Sequence, residues 1–386
     1  MSAPASTAAV VPKRFYSLDV LRGLAALSVV LWHWQHFFLP ANPNGSPFEM
    51  ARQPLYGLLS MFYQHGAAAV QLFFCLSGFI FFWLYSRPVG ERAISFGSFS
   101  ILRLSRLYPL HLLTLLLVAA GQLAFVAAAG KPFVFAFNDR FHFVLHLLFV
   151  PVSLFEGQPA FNQPVWSVSV ELIVYVVFFV FCRVFRRVGP LSVAAMFVLA
   201  AAGFGLRALF NDIGQGVMGF FLGGVVFATY SHLVRPGASR ALSVLVPVAA
   251  AFAWGAAFWL TRPGSEASVP MGGLLGKLLS SADVLVLFPL TILALALLET
   301  RRGTLGRRLA FIGDVSYSSY LLHFPLQLAV ALASMRLAAP AAGFESPWFL
   351  LAFFAALLAV AGASHRWFEL PCQRALRRYA GWSRPA

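Results

Sequence analysis

Two ionisable residues in the first apolar stretch of the chain, Arg22 and His33, could carry out chemistry inside a membrane. They are eleven residues apart, about three turns of an α-helix, so both side chains point to nearly the same face. Along the helix axis the two positions are separated by about 16 Å. An imidazole can act as a general base or a nucleophile, and a guanidinium binds anions such as phosphates. The structural alternative is an anchoring arginine and a packed, satisfied histidine.

A carboxylate, Glu171, lies in another apolar stretch, about two helical turns after Pro164. We expect it at a depth in the membrane similar to that of His33. There it would fix the tautomer of the imidazole and stabilise the imidazolium, as a carboxylate does in hydrolytic triads. Charged groups inside lipid need partners, so a purely structural ion pair with Arg140 or Arg207 is the alternative.

Arg103 and Arg106 precede the third apolar stretch and, three residues apart, share one face of any helical turn there. Guanidinium groups of this kind bind phosphates in a bidentate manner. They could equally be ordinary topology anchors. In the second apolar stretch, Ser77 and Gly78 form a small-residue patch that lets a helix or a ligand approach the backbone closely. Helix packing alone is the commoner explanation for such a patch.

The segment 311–325 places His323 and Pro325 within an apolar stretch, after the hydroxyl groups of several serines and tyrosines. Tyr317 and His323 could therefore line a cavity or bind an acceptor. The alternative is a proline-kinked helix whose freed carbonyl groups are met by neighbouring polar side chains.

The chain contains no metal-ligand spacing, no P-loop, no dinucleotide-binding fingerprint and no G-x-S-x-G motif. His142 and His146 are four residues apart but lack the glutamate of a zinc protease motif, and we interpret them as interfacial. We therefore predict a site without a metal.

Composition places the chain among helical membrane proteins. Of its 386 residues, 60% are hydrophobic and only 11% are charged, with a mean hydropathy of +0.79. A soluble domain is nearer a quarter charged. The net charge of +15 does not require a nucleic-acid partner, because Lys and Arg accumulate in the cytoplasmic loops of membrane proteins. The three cysteines are far apart, so no disulfide framework is indicated.

Ten stretches are long and apolar enough to span a bilayer. An eleventh stretch, 141–155, is shorter and contains two histidines and a proline. If it does not cross and the N-terminus is cytoplasmic, 21 of the 28 Lys and Arg residues lie on the cytoplasmic side. We therefore predict an all-α polytopic protein with both termini cytoplasmic and a re-entrant or interfacial segment near 141–155. The ten predicted spans are 15–39, 67–85, 107–129, 165–182, 191–210, 214–233, 241–260, 278–298, 309–335 and 347–368.

We predict a single transmembrane domain at 15–374. A short cytoplasmic tail, 1–14, precedes it, and a basic cytoplasmic tail, 375–386, follows it. No internal repeat is apparent, and no loop is long enough to hold a soluble domain.

Five short motifs in the right order resemble the membrane acyltransferase family three, the integral-membrane O-acyltransferases of bacterial surface glycans. The resemblance extends over about 15–374 and is strongly specific only when the motifs are taken together. They are the opening with Arg and His eleven apart at 15–36, FFCLSGF at 73–79, RLSRLYP at 103–109, WSVSVE at 166–171 and SYSSYLLH at 316–323.

The resemblance implies transfer of an acyl group, usually acetyl, from cytoplasmic acyl-CoA to a hydroxyl group, often on a glycan or glycoside. It implies a multi-pass protein of the bacterial cytoplasmic (inner) membrane. Some relatives carry a fused extracytoplasmic esterase-like domain; we expect none in this chain, so a second transfer step would need a separate extracytoplasmic partner.

The combined hypothesis assigns a role to each candidate residue. His33 would act as general base or acyl carrier, with Glu171 as its orienting carboxylate. Three groups, at Arg22, Arg103 and Arg106, would bind the donor phosphates, and the pantetheine arm would pass Ser77 and Gly78. The acceptor-side candidates are Asp19, Trp166, Ser169, Tyr317 and His323.

Two other functional classes compete with this hypothesis. Intramembrane His, Glu and Arg residues also suit a proton-coupled secondary transporter, although the two-fold internal symmetry of many transporter folds is not evident. A structural or sensory membrane protein with buried polar contacts is the third reading, and it leaves the Arg22–His33 register unexplained.

Overall fold

The computed structural model describes residues 12–39, 49–155, 158–235, 241–261, 281–337 and 341–380, and these residues form α-helices without any strand. The all-α prediction is therefore confirmed for the described part of the chain. The helices are α1 Tyr16–Trp32, α2 Tyr56–His65, α3 Ala69–Gly90, α4 Phe96–Ala129, α5 Arg140–Leu147, α6 Trp166–Phe185, α7 Pro190–Leu206, α8 Asn211–Leu233, α9 Leu242–Leu260, α10 Phe288–Arg302, α11 Phe311–Asp314, α12 Ser316–Arg336, α13 Pro347–Ser364 and α14 Leu370–Tyr379.

Seven helical segments of the described chain are long and apolar enough to cross a membrane. Three of the ten predicted spans are not among them. α1 and α7 have only 17 residues each, and α12 is made less apolar by polar residues such as His323 and Gln327. The start of the predicted span 278–298 lies outside the described residues. The seven segments are Tyr56–Gly90, Phe96–Ala129, Gln163–Phe185, Asn211–Leu233, Leu242–Leu260, Asp283–Arg302 and Pro347–Tyr379.

The first helix is positioned at its N-terminus by a buried carboxylate from α10. The backbone N–H groups of Tyr16 and Ser17 each donate to Glu299 over 2.9 Å, and the Ser17 hydroxyl donates to it over 2.6 Å. Glu299 is 0% exposed. A carboxylate is well suited to this place, because the first N–H groups of a helix have no intrahelical partner and carry partial positive charge.

Close helix crossings depend on glycine at two positions near the site. A Cβ atom on Gly78 of α3 would lie 1.9 Å from the Phe220 carbonyl oxygen of α8. A Cβ atom on Gly313 would lie 2.2 Å from the Asp19 carbonyl oxygen. Because both residues are glycine, the backbone of α3 can contact that of α8, and the backbone of α11 can contact that of α1.

The segment near 141–155 does not form a membrane-spanning helix. Its helix, α5, has eight residues and is about 12 Å long, whereas the bilayer core is about 30 Å thick. The chain turns back along α4: Gln122 exchanges two hydrogen bonds with the backbone of Phe133, and His111 bonds the carbonyl oxygen of His146 over 2.7 Å. From Gln122 to His111 is about 16 Å along α4, so the segment returns into the helix bundle.

The C-terminal helix α14 continues past residue 374, where we predicted the transmembrane domain to end. Arg377 of α14 donates to Ser105 Oγ over 3.2 Å and to the Leu102 carbonyl oxygen over 3.4 Å. Arg377 therefore docks on α4, whereas the other residues of 375–379 are exposed. Most of the predicted N-terminal tail and the end of the predicted C-terminal tail lie outside the described residues.

The first testable prediction concerns topology. Because the segment near 141–155 returns along α4, a reporter fused after Phe155 should report the outer side and one fused after Arg187 the cytoplasmic side. A fusion after Gly130 is the control, since the predicted topology places it on the outer side whether or not the segment crosses. A cytoplasmic signal after Phe155, with the control unchanged, would contradict the assignment.

A second prediction concerns Glu299. Glu299→Ala leaves buried N–H and O–H donors without an acceptor and should destabilise the fold by about 3 kcal/mol. A thermal melt in detergent should show a melting temperature several degrees lower. Glu91→Ala, which removes a partly exposed carboxylate paired with Arg87, is the matched control and should shift the melt little. Equal melts for the two variants would contradict a capping role for Glu299.

Candidate active site

A cavity of about 600 Å³ lies between α1, α3, α4, α6, α12 and α14. One end is strongly basic. The other end is lined by small and aromatic hydroxyl groups, including those of Ser77, Ser167 and Tyr320. The basic side chains that line it are Lys13, Arg14, Arg22, Arg103, Arg106 and Arg377.

Arg22 is held at the basic end by contacts on both sides. Its guanidinium donates to the Gly313 carbonyl oxygen over 2.7 Å and lies 3.2 Å from a carboxylate oxygen of Asp19. Asp19 and Asp314 also form ion pairs with Arg14, over 2.6 Å and 2.5 Å respectively. Asp19 therefore lines the cavity as a partner of arginines.

Arg103 and Arg106 both line the cavity but have different surroundings. Arg103 is 9% exposed, donates to the Tyr85 hydroxyl over 2.5 Å, and lies 4.9 Å from the ring centroid of Phe81 and 4.7 Å from that of Tyr85. Arg106 is exposed, and within the described residues it makes no hydrogen bond or ion pair. Arg106 is therefore the more available cation of the two.

Glu171 belongs to a polar cluster on the cavity wall. The Ser77 hydroxyl donates to it over 3.0 Å, and the hydroxyl of Tyr175, one helical turn later, also donates to it. Tyr175 in turn packs on Phe81 and Phe99. Because Phe99 is the fourth residue of α4, Tyr175 lies near the same end of the bundle as Arg103, and Glu171 lies one helical turn farther into the cavity.

His33 and His323 form a hydrogen-bonded pair beyond the hydroxyl-lined end. His33 Nδ1 is 3.1 Å from His323 Nε2, and His323 Nδ1 is 2.5 Å from the Tyr320 carbonyl oxygen. The two residues are 7% and 0% exposed. Gln327 holds the short 3₁₀ turn that carries His33, since its amide donates to the His33 carbonyl oxygen over 3.0 Å and its oxygen bonds His36 Nδ1 over 3.1 Å.

The hydrogen bonds assign the tautomers of the histidine pair. A carbonyl oxygen only accepts, so His323 carries its proton on Nδ1 and its Nε2 is an acceptor. His33 must then donate from Nδ1. This leaves the lone pair of His33 on Nε2, the atom that could take a proton from a hydroxyl group or attack a carbonyl carbon.

The cavity ends about one helical turn before the histidine pair. Tyr320 lines its inner end, and the Tyr320 hydroxyl is bonded to the Pro164 carbonyl oxygen over 2.7 Å and to Ser167 Oγ over 2.9 Å. His33 does not line the cavity. The Tyr320 side chain therefore stands between the basic cavity and the imidazoles.

Comparisons with known proteins identify the family of the chain. A family model described as an acyltransferase domain matches residues 15–366. The chain belongs to this acyltransferase family. It is 28% identical to acyltransferase MdmB of Streptomyces mycarofaciens over 95% of this chain and 93% of that protein. It is 33% identical to protein 2 in the picA locus of Rhizobium radiobacter over 43% of this chain and 82% of that protein. No solved structure matches the chain.

The match confirms the predicted family and the predicted acyltransferase activity. Among the candidate site residues, Asp19, Arg22, Ser77, Arg103, Arg106, Glu171 and Tyr317 all line one cavity of the acyltransferase. We predicted that Arg22 and His33 point to the same side of the first helix. In the structure both contact the same segment, 311–336, Arg22 at Gly313 and His33 at His323.

The predicted pairing of His33 with Glu171 is wrong in this structure of the acyltransferase. His33 is bonded to His323, and Glu171 to Ser77 and Tyr175. The reason is the returning segment, which starts α6 at the level of Tyr320 rather than at a membrane surface. Helix α6 then runs towards the start of α4 and carries Glu171 away from the histidines. The alternative ion pairs of Glu171 with Arg140 and Arg207 are not formed either.

Besides His33 and His323, three predicted site residues lie outside the cavity lining. Gly78 packs on the Phe220 backbone, so its small size serves the α3–α8 crossing. The Trp166 ring faces the ring of Phe74, with centroids 6.3 Å apart. Ser169 is buried. Tyr317 does line the cavity, and its hydroxyl donates to the Leu107 carbonyl oxygen over 2.5 Å.

Sequence reasoning missed two groups of residues. His142 and His146, which we interpreted as interfacial, are buried, and so is His111 beside them. Within the described residues these histidines do not form a group that could hold a metal ion.

Arg377, the second omission, lines the cavity although it lies in the predicted basic tail. Helical periodicity puts Arg377 on a different face of the helix from the neighbouring exposed arginines. The sequence does not show which of these faces docks on the rest of the protein.

The histidine pair leads to a third prediction. His33→Ala should lower the acyl-transfer rate by a factor of at least ~100, because it removes the Nε2 lone pair. His323→Ala should lower the rate by about 10- to 100-fold, since His33 loses the acceptor that fixes its tautomer. His323→Gln should restore part of the rate, because an amide oxygen can accept from His33 Nδ1. The double alanine variant should be little worse than His33→Ala.

The measurement is the transfer rate of each variant, together with a thermal melt in detergent to show that it is folded. His142→Ala is the control, since it removes a buried imidazole whose ring is bonded to Asp139 rather than to the histidine pair or to Gln327. A folded His323→Gln protein no better than His323→Ala would contradict a positioning role. A folded His33→Ala protein with near wild-type turnover would remove His33 from the mechanism.

Proposed function

We propose that this acyltransferase moves an acetyl group from cytoplasmic acyl-CoA to a hydroxyl group of a glycan or glycoside acceptor, in a bacterial cytoplasmic membrane. The observation that carries the proposal is the cavity. It is basic at one end and stops about one helical turn from a pair of hydrogen-bonded imidazoles. Such a shape suits a donor that is anionic at one end and reactive at the other.

The basic end is proposed to bind the phosphate groups of the donor. Arg22 and Arg106 point guanidinium groups into it, and guanidinium recognises phosphate through paired hydrogen bonds. Arg103 adds positive charge close by, although its contacts with Tyr85 limit how far it can turn towards a ligand. The positive-inside distribution of Lys and Arg supports a cytoplasmic position for this end.

The pantetheine arm would extend past Ser77 towards Ser167 and Tyr320, at the inner end of the cavity. For the thioester to reach His33, the Tyr320 side chain must move aside from its hydrogen bonds to Pro164 and Ser167. His33 Nε2 would then accept the proton of the acceptor hydroxyl while its oxygen attacks the thioester carbonyl carbon. The carbon–sulfur bond breaks, an ester forms, and the thiolate takes the proton from the imidazolium to give CoA.

His323 is proposed to take the stabilising role that we predicted for Glu171. When His33 becomes an imidazolium, its Nδ1–H bond to His323 Nε2 becomes a charge-assisted hydrogen bond, which is stronger than a neutral one. An alternative use of the same lone pair, formation of an acyl-His33 intermediate, requires the same tautomer. If a second transfer step exists, it would use a separate extracytoplasmic partner.

The rival proposal, a proton-coupled transporter, would use the same buried His, Glu and Arg residues. The family assignment favours the enzyme. The two functions differ in one product: the enzyme releases free CoA thiol from acetyl-CoA in the absence of a gradient, and the transporter does not.

A fourth prediction tests the donor. Purified protein should bind acetyl-CoA and release CoA thiol, and Arg106→Ala should weaken acetyl-CoA binding by about tenfold through loss of a charged hydrogen bond. Arg106→Lys should fall between, since an ammonium lacks the bidentate fork. Arg87→Ala, which removes an exposed arginine outside the cavity, is the charge-matched control. Absence of acetyl-CoA binding by the wild-type protein would contradict the proposed donor.

The acceptor would be sought by mass spectrometry of surface glycans from a strain lacking the protein. Loss of an acetyl ester from a defined sugar should accompany the deletion and should be reversed by the wild-type protein, but not by folded His33→Ala.

A further inference from the structure

The C-terminal helix α14 presents two different faces. Leu370, Gln373 and Arg377, at spacings of three and four residues, line the cavity, as neighbouring positions on one helix face do. Arg374 and Arg378 are exposed. One cation of this basic helix is therefore directed towards the cavity, whereas the others face outward.

Arg377 is fixed to the part of α4 that carries the other donor-site arginines. Its Nε donates to Ser105 Oγ over 3.2 Å and one of its terminal nitrogens donates to the Leu102 carbonyl oxygen over 3.4 Å. Ser105 lies between Arg103 and Arg106 in sequence. The guanidinium of Arg377 is thereby placed at the same end of the cavity as that of Arg106.

The surroundings of Arg103 increase the importance of Arg377. Arg103 is bound to the Tyr85 hydroxyl and lies against the rings of Phe81 and Tyr85, so its guanidinium is held against the protein and is limited in how far it can turn towards a ligand. Arg377 lines the same end of the cavity, and its bonds to Ser105 and Leu102 hold its guanidinium beside the start of α4. A phosphate at the basic end would meet Arg106 from α4 and Arg377 from α14.

We propose that Arg377, with Gln373 one turn before it, binds the phosphate-bearing part of the acyl-CoA donor, so that α14 forms one wall of the donor site. This inference rests on the proposed function, in which acyl-CoA is the donor. It extends the donor site beyond residue 366, where the match to the family model ends. The ligand chemistry is a phosphate ester, recognised by paired guanidinium groups from two helices.

The test compares two donors on the full-length protein in lipid nanodiscs. Acetyl-CoA carries phosphates, and S-acetyl-pantetheine carries the same thioester without them. Arg377→Ala should raise the dissociation constant for acetyl-CoA by about tenfold and leave that for S-acetyl-pantetheine unchanged. Arg377→Lys should be intermediate. Arg378→Ala makes the same change of charge on the exposed face of the same helix and should bind acetyl-CoA like the wild-type protein.

A second variant separates ligand binding from helix docking. Ser105→Ala removes the hydrogen bond that anchors Arg377 but keeps the guanidinium, so it should bind acetyl-CoA within a few-fold of wild type. Equal effects of Arg377→Ala and Arg378→Ala would overturn the inference, and so would equal losses for the two donors. Failure of the wild-type protein to bind acetyl-CoA would instead overturn the proposed function, and this inference with it. A normal wild-type affinity that Arg377→Ala does not change would overturn this inference alone.

Discussion

The candidate site depends on where α1 begins. The first N–H groups of a helix need acceptors, and Glu299 supplies them from α10 in a place without access to water. With that end fixed, the rise of about 1.5 Å per residue sets the height of every residue that follows. Arg22 is thereby placed at Gly313, and His33 at His323. A shift of α1 by one turn would break both contacts together.

The two ends of α1 are joined to the same neighbouring segment, which comes almost 300 residues later in the chain. Near Arg22, α1 can approach the segment around Gly313 closely because Gly313 has no side chain. At the C-terminal end of α1, the Gln327 side chain bonds the His33 carbonyl oxygen and the His36 ring in the turn that follows the helix. The pairing of His33 with His323 is therefore a consequence of the α1–α12 register. The Tyr320 carbonyl oxygen fixes the tautomer of His323, and His323 in turn fixes the tautomer of His33.

The sequence could predict which side of a helix a residue occupies, but it could not predict which residue of another helix it contacts. Helical periodicity correctly put Arg22 and His33 on one side of α1, and length correctly excluded a spanning helix near 141–155. Glu171 was paired with the wrong residue because its height was counted from a membrane surface, whereas α6 starts beside Tyr320. Gly78 was ambiguous because close packing and ligand access require the same small side chain. Arg377 was hidden in a basic tail, where any arginine is expected on topological grounds.

The contrast between the two ends of the cavity has an electrostatic reason. Six basic and four acidic side chains line it. Two of the acids, Asp19 and Asp314, are paired with Arg14, and Glu171 is bonded to hydroxyl groups farther in. Arg106 therefore lies among like charges, and an anion bound there would relieve their repulsion, whereas the same anion at the buried histidines would have to lose its water. The proposed donor, with phosphates at one end and a neutral thioester at the other, would satisfy both requirements, because only its uncharged part would have to pass Tyr320.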